Sequence, residues 1–484
     1  MSHDIRERST PRPEAHGQGR RLLALQRANH WRVAQRTAAE RAAKLDHLRE
    51  AIESRREELY DAMWRDFHKH HAEVELTEIA PTMLELTEAR RNIARWMRPQ
   101  RVKTPMILTG TRSELQYEPR GVVLIMAPWN YPFNLIMSPL VAAVAAGNCA
   151  VVRPSEKVPH TADVVTAIIR DVFDEAEVAC VTEPGHDLAN ELIALPFDHI
   201  FFTGSGPVGR RVMAAAAANL ASVTLELGGK SPLIVDETAD VAAAAQRAMW
   251  GKFVNAGQTC IAPDHALVHE SVLPQFLEAA RRQVARFYGS TEEERHASPY
   301  FARIIDDAAF RRLAALLDAA RDAGAKVEIG GRVVAEERYI APTILTNVAE
   351  DSPLMKEEIF GPILPVLTFR DLEEVPPHIE RIAKPLALYF FSRSRRNIAM
   401  IRQRTSSGGA VVNNVLIHFG NPKLPFGGVG ESGQGSYHGW FGFRTFSHER
   451  SVLHQTPVAM IHALFPPYTP AVQKAIRLAG RLFG

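Results

Sequence analysis

The sequence predicts an α/β protein built on parallel sheets. Three observations carry that expectation. From Gly121 to Glu226, short apolar runs alternate with stretches of helical periodicity, the mark of strand–helix–strand units with strands buried on both faces. A second α/β run follows and ends in strands at Leu386–Phe391 and Gly409–Val412. The chain has 484 residues, 46% of them hydrophobic, which is enough for more than one core without disulfide support.

Taken in order, residues 1–17 are mixed-charge and contain proline, and are expected to be poorly ordered. Residues 18–97 read as helix: apolar positions such as Leu45, Leu48, Ile52, Leu59 and Met63 recur at helical spacing, and glycine is absent from Leu22 to Gln100. Between 101 and 118, turn signals at Thr104-Pro105 and Thr109-Gly110 flank short apolar runs, which predicts an extended segment or hairpin. The first α/β run then has strands at Gly121–Met126, Ala150–Val152, Val178–Val181, His199–Phe202 and Val223–Glu226. Helices begin at Pro139, His160 and Val208. The second run has helices over Val241–Val254, Val272–Phe287 and Asp306–Asp322. A glycine-rich stretch, Phe426 to Gly435, is expected to be an irregular loop.

Composition excludes several classes. Lysine plus arginine (57) nearly balances aspartate plus glutamate (55), so no electrostatic case for nucleic-acid binding arises. Three cysteines, Cys149, Cys180 and Cys260, make neither a disulfide framework nor a Cys-rich zinc module, and fit a reducing compartment. No secretory h-region or membrane-length apolar stretch is visible, so a cytoplasmic location is expected.

Four motifs carry chemistry. Gly204-Ser205-Gly206-Pro-Val-Gly209 lies between a strand and a helix and has the literal G-x-G-x-x-G form, which suits phosphate at a helix N-terminus. Alone it is weak, since a tight turn has the same composition. Phe253-Val-Asn-Ala-Gly-Gln-Thr-Cys260 places a cysteine in a turn after a helix, where a thiolate nucleophile would be reachable; a packed structural cysteine is the plain alternative. Glu226-Leu-Gly-Gly-Lys puts a carboxylate at a strand end, where it could act as a general base, bind ribose, or merely form a salt bridge. Trp129-Asn130-Tyr131-Pro follows a strand, so the Asn130 amide could donate to an oxyanion or belong to an ordinary turn.

Together these segments resemble the aldehyde dehydrogenase superfamily. The matching stretches are Pro128-Trp-Asn-Tyr-Pro-Phe133, Thr203–Gly209, Glu226–Lys230, Gly257-Gln-Thr-Cys260, Glu357-Glu358-Ile-Phe360-Gly-Pro and Pro425-Phe-Gly-Gly-Val-Gly430, in the family's order. Tyr339-Ile-Ala-Pro-Thr, Lys384-Pro-Leu-Ala-Leu-Tyr389, Ser436-Tyr-His-Gly439 and Phe443-Arg-Thr-Phe-Ser-His448 point to the class 3-like branch, which holds coniferyl, aromatic and fatty aldehyde dehydrogenases.

The resemblance implies two parallel-sheet α/β domains and a small β oligomerisation flap. It assigns 18–100 and 119–228 to cofactor binding and 229–428 to catalysis. The flap takes 101–118 and 440–456, and 457–484 form a tail. Cys260 is then the nucleophile, Asn130 the oxyanion donor and Glu226 the base that activates water. Trp129, Gly204, Ser205, Gly209, Leu227, Glu358 and Phe360 fall at cofactor positions, with Gly206 incidental to the glycine pattern. Arg153 and Glu156, in Arg153-Pro-Ser-Glu156, match the adenosine-ribose pair, with arginine where the family has lysine. NAD is the expected cofactor, with dual use of NADP left open: the Arg153 fork could favour a 2′-phosphate, while Glu156 would still accept ribose hydroxyls and oppose it. Tyr131, Leu416, Phe419 and Phe426 would line an apolar funnel for a small hydrophobic aldehyde. A coniferyl-type aldehyde is the leading specific expectation, a fatty aldehyde the next. Homodimers are expected, and no metal. A CoA-acylating enzyme uses the same cysteine but lacks the hydrolytic glutamate, so Glu226 argues against it; a crystallin-like binding protein commonly loses catalytic residues, so retention of Cys260, Glu226, Asn130 and Glu358 argues against that.

Two further segments stand out. Phe67-His-Lys-His-His71 fits no zinc spacing and reads as a solvated helix end. Val472–Gly484, drawn as a helix, puts Val472, Ile476, Leu478, Leu482 and Phe483 on one arc opposite Lys474, Arg477 and Arg481. Such a helix can lie on an anionic membrane, cover the funnel or pack in a dimer.

Overall fold

The computed structural model describes residues 17–105, 108–457, 461–462 and 465–483. The expectation for residues 1–17 lies outside the described residues, save Gly17, which opens the helix Gln18–Ala34 in a left-handed conformation. Helices Ala38–Ser54, Arg56–Phe67 and Ala80–Trp96 follow, joined by a wider-wound turn over Glu75–Ile79.

The first sheet has six strands. In spatial order they are Gly433–Gln434, Ser222–Glu226, His199–Thr203, Val122–Met126, Cys149–Arg153 and Val178–Cys180. All neighbours are parallel except Gly433–Gln434, which runs antiparallel to Ser222–Glu226. That short strand is supplied by the glycine-rich stretch expected to be irregular. Its partner is more than 200 residues away in the chain, so no local pattern announces it. Val122–Met126 and His199–Thr203 are buried along their whole length, as parallel strands covered by helices on both faces must be.

The second sheet has seven strands in the order Lys326–Ile329, Thr343–Thr346, Ile363–Phe369, His265–His269, Pro232–Val235, Ala387–Phe391 and Gly409–Val412. Only Lys326–Ile329 is antiparallel to its neighbour. Ile363–Phe369 is hard to read as a strand because it contains Pro365. Its two neighbours engage different ends of it: Thr343–Leu345 pair with residues up to Pro365, and Ala266–His269 with residues from Val366 onward. The missing proline N–H therefore falls at the changeover.

A third, antiparallel sheet joins Gln100–Val102, Thr111–Pro119 and Ser447–Gln455, with Ser447 opposite Pro119 and Gln455 opposite Thr111. The residues just before its last strand are helical, Gly439–Thr445. Trp440 and Phe443 of that helix stack on each other and pack against Trp96.

One helix starts earlier than expected. The helix assigned to begin at Pro139 spans Asn134–Ala146, with the proline inside it. The cause is a distant cap: the buried Glu78 carboxylate accepts the N–H groups of Phe133 (3.2 Å) and Asn134 (2.9 Å), satisfying donors that a helix start leaves bare. The Phe67–His71 stretch also departs from expectation. Lys69 is fully buried and paired with Glu78 at 2.6 Å, so this is not simply a solvated helix end.

Candidate active site

The carboxyl ends of the parallel strands open on one crevice, where α/β sheets bind ligands. Glu226 ends the strand Ser222–Glu226, Gly204 follows His199–Thr203, and Asn130 follows Val122–Met126. Cys260 arrives from the stretch between the strands Pro232–Val235 and His265–His269 of the second sheet. The helix Val241–Phe253, capped by the Asp240 carboxylate on the Ala243 N–H, stops before a turn in which Asn255, Ala256 and Gly257 all have positive φ (53°, 51° and 75°). At Gly257 a side chain would collide with the Gly361 carbonyl, which is why glycine is required there.

Gln258 braces this turn from within. Its amide donates to the carbonyls of Asn255 (3.1 Å) and Arg303 (3.0 Å), and its oxygen accepts the Ile305 N–H (3.0 Å). Asn255 donates to the Asn130 carbonyl at 2.8 Å, and the Asn130 amide donates to the Gln258 carbonyl at 3.0 Å. The oxyanion-donor candidate and the nucleophile turn are thus tied into one buried network. Tyr131 joins it through a 2.6 Å hydrogen bond with Thr259.

Charge around the thiol is unfavourable to its ionisation. Burial, then the negative charges of Glu358 and Glu226, push Cys260 up to about 12; the N–H groups of Cys260 and Ile261 pull the other way. Glu226 is buried, neither of its carboxylate oxygens has a hydrogen-bond partner, and burial holds it well above the usual carboxylate range. Glu358 is raised to about 8 by burial and by Asp264, against an N–H from Gly229. A buried Lys230–Asp264 ion pair pins the loop carrying Glu358: Lys230 also donates to the carbonyls of Leu354 (2.7 Å) and Glu357 (2.9 Å), and Asp264 accepts the Ile359 N–H (2.8 Å). Phe360, at φ 52°, meets Trp129 edge to face, with ring centroids 5.4 Å apart.

Two cavities meet at these groups. The polar one, about 540 Å³, is lined by Trp129, Asn130, Gly204, Ser205, Glu226, Leu227, Cys260, Glu358 and Phe360. The apolar one, about 270 Å³, is lined by Tyr131, Leu416, Phe419 and Phe426, and again by Glu226 and Cys260. A nucleophile candidate and a base candidate therefore stand at the junction of a polar cleft and a greasy tunnel.

The chain belongs to the aldehyde dehydrogenase family. The family model named for aldehyde dehydrogenases matches residues 21–452. The 4,4'-diaponeurosporen-aldehyde dehydrogenase of Staphylococcus aureus is 44% identical over 428 residues, covering 88% of this chain and 92% of that one. Human aldehyde dehydrogenase family 3 member B1 is 43% identical, covering 90% and 92%, so the class 3-like branch is also shown. A solved substrate-bound state of Staphylococcus aureus AldH superposes with a TM-score of 0.91 at 41% identity, covering 95% of this chain and 98% of that one.

The remaining residues singled out in the sequence fall near this aldehyde dehydrogenase site in different ways. Gly209 does not line either cavity; it lies one helical turn inside Gly206–Ala217, where a side chain would press on Leu227. Arg153 and Glu156 do not line the polar cavity either. They hold the backbone of Gly185 between them, Arg153 donating to its carbonyl (3.0 Å) and Glu156 accepting its N–H (2.7 Å). Cys149 is buried, and its thiol donates to the Ala176 carbonyl; Cys180 accepts from Thr166. Sequence reasoning missed several tunnel residues, among them Trp250, Tyr437 and His438. Tyr437 reaches the tunnel through an isolated bridge with Phe426, a contact between two segments of an apparent loop.

The polar cleft fits a nicotinamide dinucleotide. The helix Gly206–Ala217 presents its N-terminus there, suited to a pyrophosphate. Glu358 offers a carboxylate for ribose hydroxyls, and Gly228 keeps that carboxylate's place clear of any side chain. Trp129 and Phe360 offer aromatic surface for a ring.

Proposed function

We propose that this aldehyde dehydrogenase oxidises a long, hydrophobic aldehyde to its carboxylate with NAD(P)+ and water. The observation that carries the reading is that, among the described residues, Cys260 and Glu226 alone of the titratable groups border both cavities. Cys260 gives its thiol proton to solvent and attacks the aldehyde carbon as thiolate, forming a thiohemiacetal; the raised thiol makes this ionisation a cost that the oxyanion donors offset. The Asn130 amide and the Cys260 N–H donate to its oxyanion, each such donor being worth about 3 kcal/mol in a dry site. Trp129, Gly204, Ser205, Leu227, Glu358 and Phe360 would hold NAD(P)+, which when bound would supply the hydride acceptor for oxidation of this adduct to a thioester. Glu226, deprotonated and free of competing hydrogen bonds, takes a proton from the water that cleaves the thioester.

The tunnel favours alkyl or alkenyl chains over coniferyl-type substrates. Some polar groups in its wall are already engaged, Thr77 donating to the Glu73 carbonyl, Asn134 to Thr82 and Ser138, and Tyr131 pairing with Thr259, whereas Thr203 Oγ1, the Glu226 carboxylate and His438 Nδ1 have no hydrogen-bond partner. A phenol or methoxy group lying against Leu76, Leu84 or Ile417 would be desolvated there without a partner. Leu76, Leu84 and Ile417, exposed at 54%, 48% and 52%, extend the apolar lining outward for a longer chain. A kcat/KM series should rise from hexanal to dodecanal and exceed coniferaldehyde and benzaldehyde. The reverse order would reject the alkyl reading, and NADH formation surviving in Cys260→Ser would reject the mechanism.

We also propose a cytoplasmic homodimer. The free cysteines support a reducing compartment. Ser447–Gln455 is an edge strand with mostly exposed side chains, the kind that pairs with another chain. The C-terminal helix Pro470–Phe483 exposes Ile476 and Leu478 alongside Lys474, Arg477 and Arg481, and we assign it a peripheral contact with anionic membrane. No described helix is long and apolar enough to cross a membrane. Deletion of residues 470–484 should abolish flotation with phosphatidylserine vesicles; unchanged flotation would end the membrane assignment.

A further inference from the structure

A cluster of ionisable side chains lies behind the active site and takes no part in the chemistry described above. Lys69, Glu73 and Glu78 come from one short stretch of the N-terminal helices. Lys69 and Glu78 are fully buried and paired at 2.6 Å, and the Lys69 ammonium sits 4.1 Å from the centre of the Tyr131 ring. Glu78 spends its carboxylate on Lys69 and on the N–H groups of Phe133 and Asn134, so it anchors the segment that follows Asn130 and Tyr131. Glu73 reaches the other half of the site: its carboxylate accepts the N–H of Asn255 at 2.8 Å.

That N–H matters because of where it lies. Asn255 opens the run of three positive-φ residues that precedes Gln258, Thr259 and Cys260. For Asn255 and Ala256 such backbone is strained and persists only where surrounding contacts fix it. Gln258 braces the turn from inside and Asn255 ties it to the Asn130 carbonyl. The Glu73 carboxylate supplies the contact from outside, and a hydrogen bond to an ionised acceptor is stronger than one to a neutral acceptor.

We propose that Glu73 is a positioning residue that holds the left-handed turn Asn255–Gly257, and with it Cys260, in register with Asn130. The inference rests on Cys260 being the nucleophile. Its consequence is a second pH dependence in catalysis. Burial raises Glu73 to about 7 despite Lys69, with Glu78 adding to the rise. The groups that face it are Lys69 and Glu78 on its own segment, Tyr131 in the loop after the strand Val122–Met126, and Tyr288 on the helix Leu273–Tyr288. As pH falls through this range the carboxylate gains a proton and its grip on the Asn255 N–H weakens.

The test is Glu73→Gln, which keeps shape and an acceptor oxygen but removes the charge, studied beside Cys260→Ser and wild type. At pH 8.5 kcat should fall by about tenfold or more, as misplacement of a reacting group does, with KM for aldehyde and for NAD within about twofold of wild type. The step near neutral pH should vanish from both the kcat profile and the rate of Cys260 alkylation by iodoacetamide, followed by mass spectrometry without cofactor. Wild-type kcat, or an unchanged alkylation profile, in Glu73→Gln overturns the proposal. So does a loss of kcat that merely accompanies a lower Tm with the profile intact. Activity persisting in Cys260→Ser would instead show that the nucleophile assignment itself had failed.

Discussion

Glu358 lies over Gly228 so closely that a methyl group on Gly228 would overlap the Glu358 carboxylate. The clash would fall on the end of a flexible side chain, so the fold can accept it while the carboxylate moves. Gly228→Ala should therefore leave Tm within about 1 °C of wild type while KM for NAD rises by about tenfold, the cost of one lost hydrogen-bonded ribose contact. Differential scanning fluorimetry and initial-rate kinetics check the two halves. A large drop in Tm with unchanged KM would mean that Glu358 does not serve the cofactor.

Glu226 has no hydrogen-bond partner and is raised well above the usual carboxylate range by burial. A base must be deprotonated, so its contribution grows as pH rises through that elevated value. Glu226→Gln should preserve thioester formation but slow hydrolysis by roughly 10²–10⁴, the usual worth of a general base. Rapid-mixing absorbance should show a burst of NADH near one per active site, followed by slow turnover. A variant with neither burst nor turnover would place Glu226 in the first half-reaction instead.

Arg153 and Glu156 clasp Gly185, and the guanidinium is the group that would meet a 2′-phosphate. Arg153→Ala should raise KM for NADP more than KM for NAD. Equal losses for both cofactors would mean that Arg153 only holds the Gly185 loop.

Glu85, buried beneath the tunnel, accepts the Gly439 N–H at 2.8 Å and stands 3.3 Å from His438. Burial raises it to about 7 and lowers His438 to about 3, so both favour their neutral forms. The sign follows from linkage. With the folded value above the unfolded 4.5, the stabilising contribution is full below about 4.5 and is lost as pH rises through 7. By pH 9 the loss is on the order of 3 kcal/mol. Tm should fall between about pH 4.5 and 7.5 and level off above that, and Glu85→Gln should flatten the fall. An identical slope in the variant would show that Glu85 does not titrate in this range.

Much of the site was legible because its motifs are local. A reactive cysteine in a turn, a glutamate at a strand end and an amide after a strand each announce themselves within a few residues. Tyr131, Leu416, Phe419 and Phe426, which the resemblance assigns to a substrate funnel, all line the apolar cavity. The alternation of buried strands with helices likewise fixed the fold class, because parallel strands need apolar residues on both faces.

What remained hidden depends on contacts between distant segments. The start of Asn134–Ala146 is set by Glu78, 56 residues earlier, which overrode the local signal of Pro139. Gly433–Gln434 becomes a strand only because Ser222–Glu226 offers it an edge. Lys69 reads as a solvated charge until Glu78 and the Tyr131 ring enclose it.

The sequence by itself determined the fold class and which residues are candidates for the chemistry, since reactivity belongs to the side chain and its nearest neighbours. The tertiary structure alone decided how those residues are held and charged. Desolvation and long-range hydrogen bonds depend on what the fold packs around a group, and no stretch of sequence contains that information. Thus Cys260 was visible as a candidate nucleophile, but its raised thiol, the tunnel it shares with Glu226 and the Glu73 bond behind its turn exist only in the folded chain.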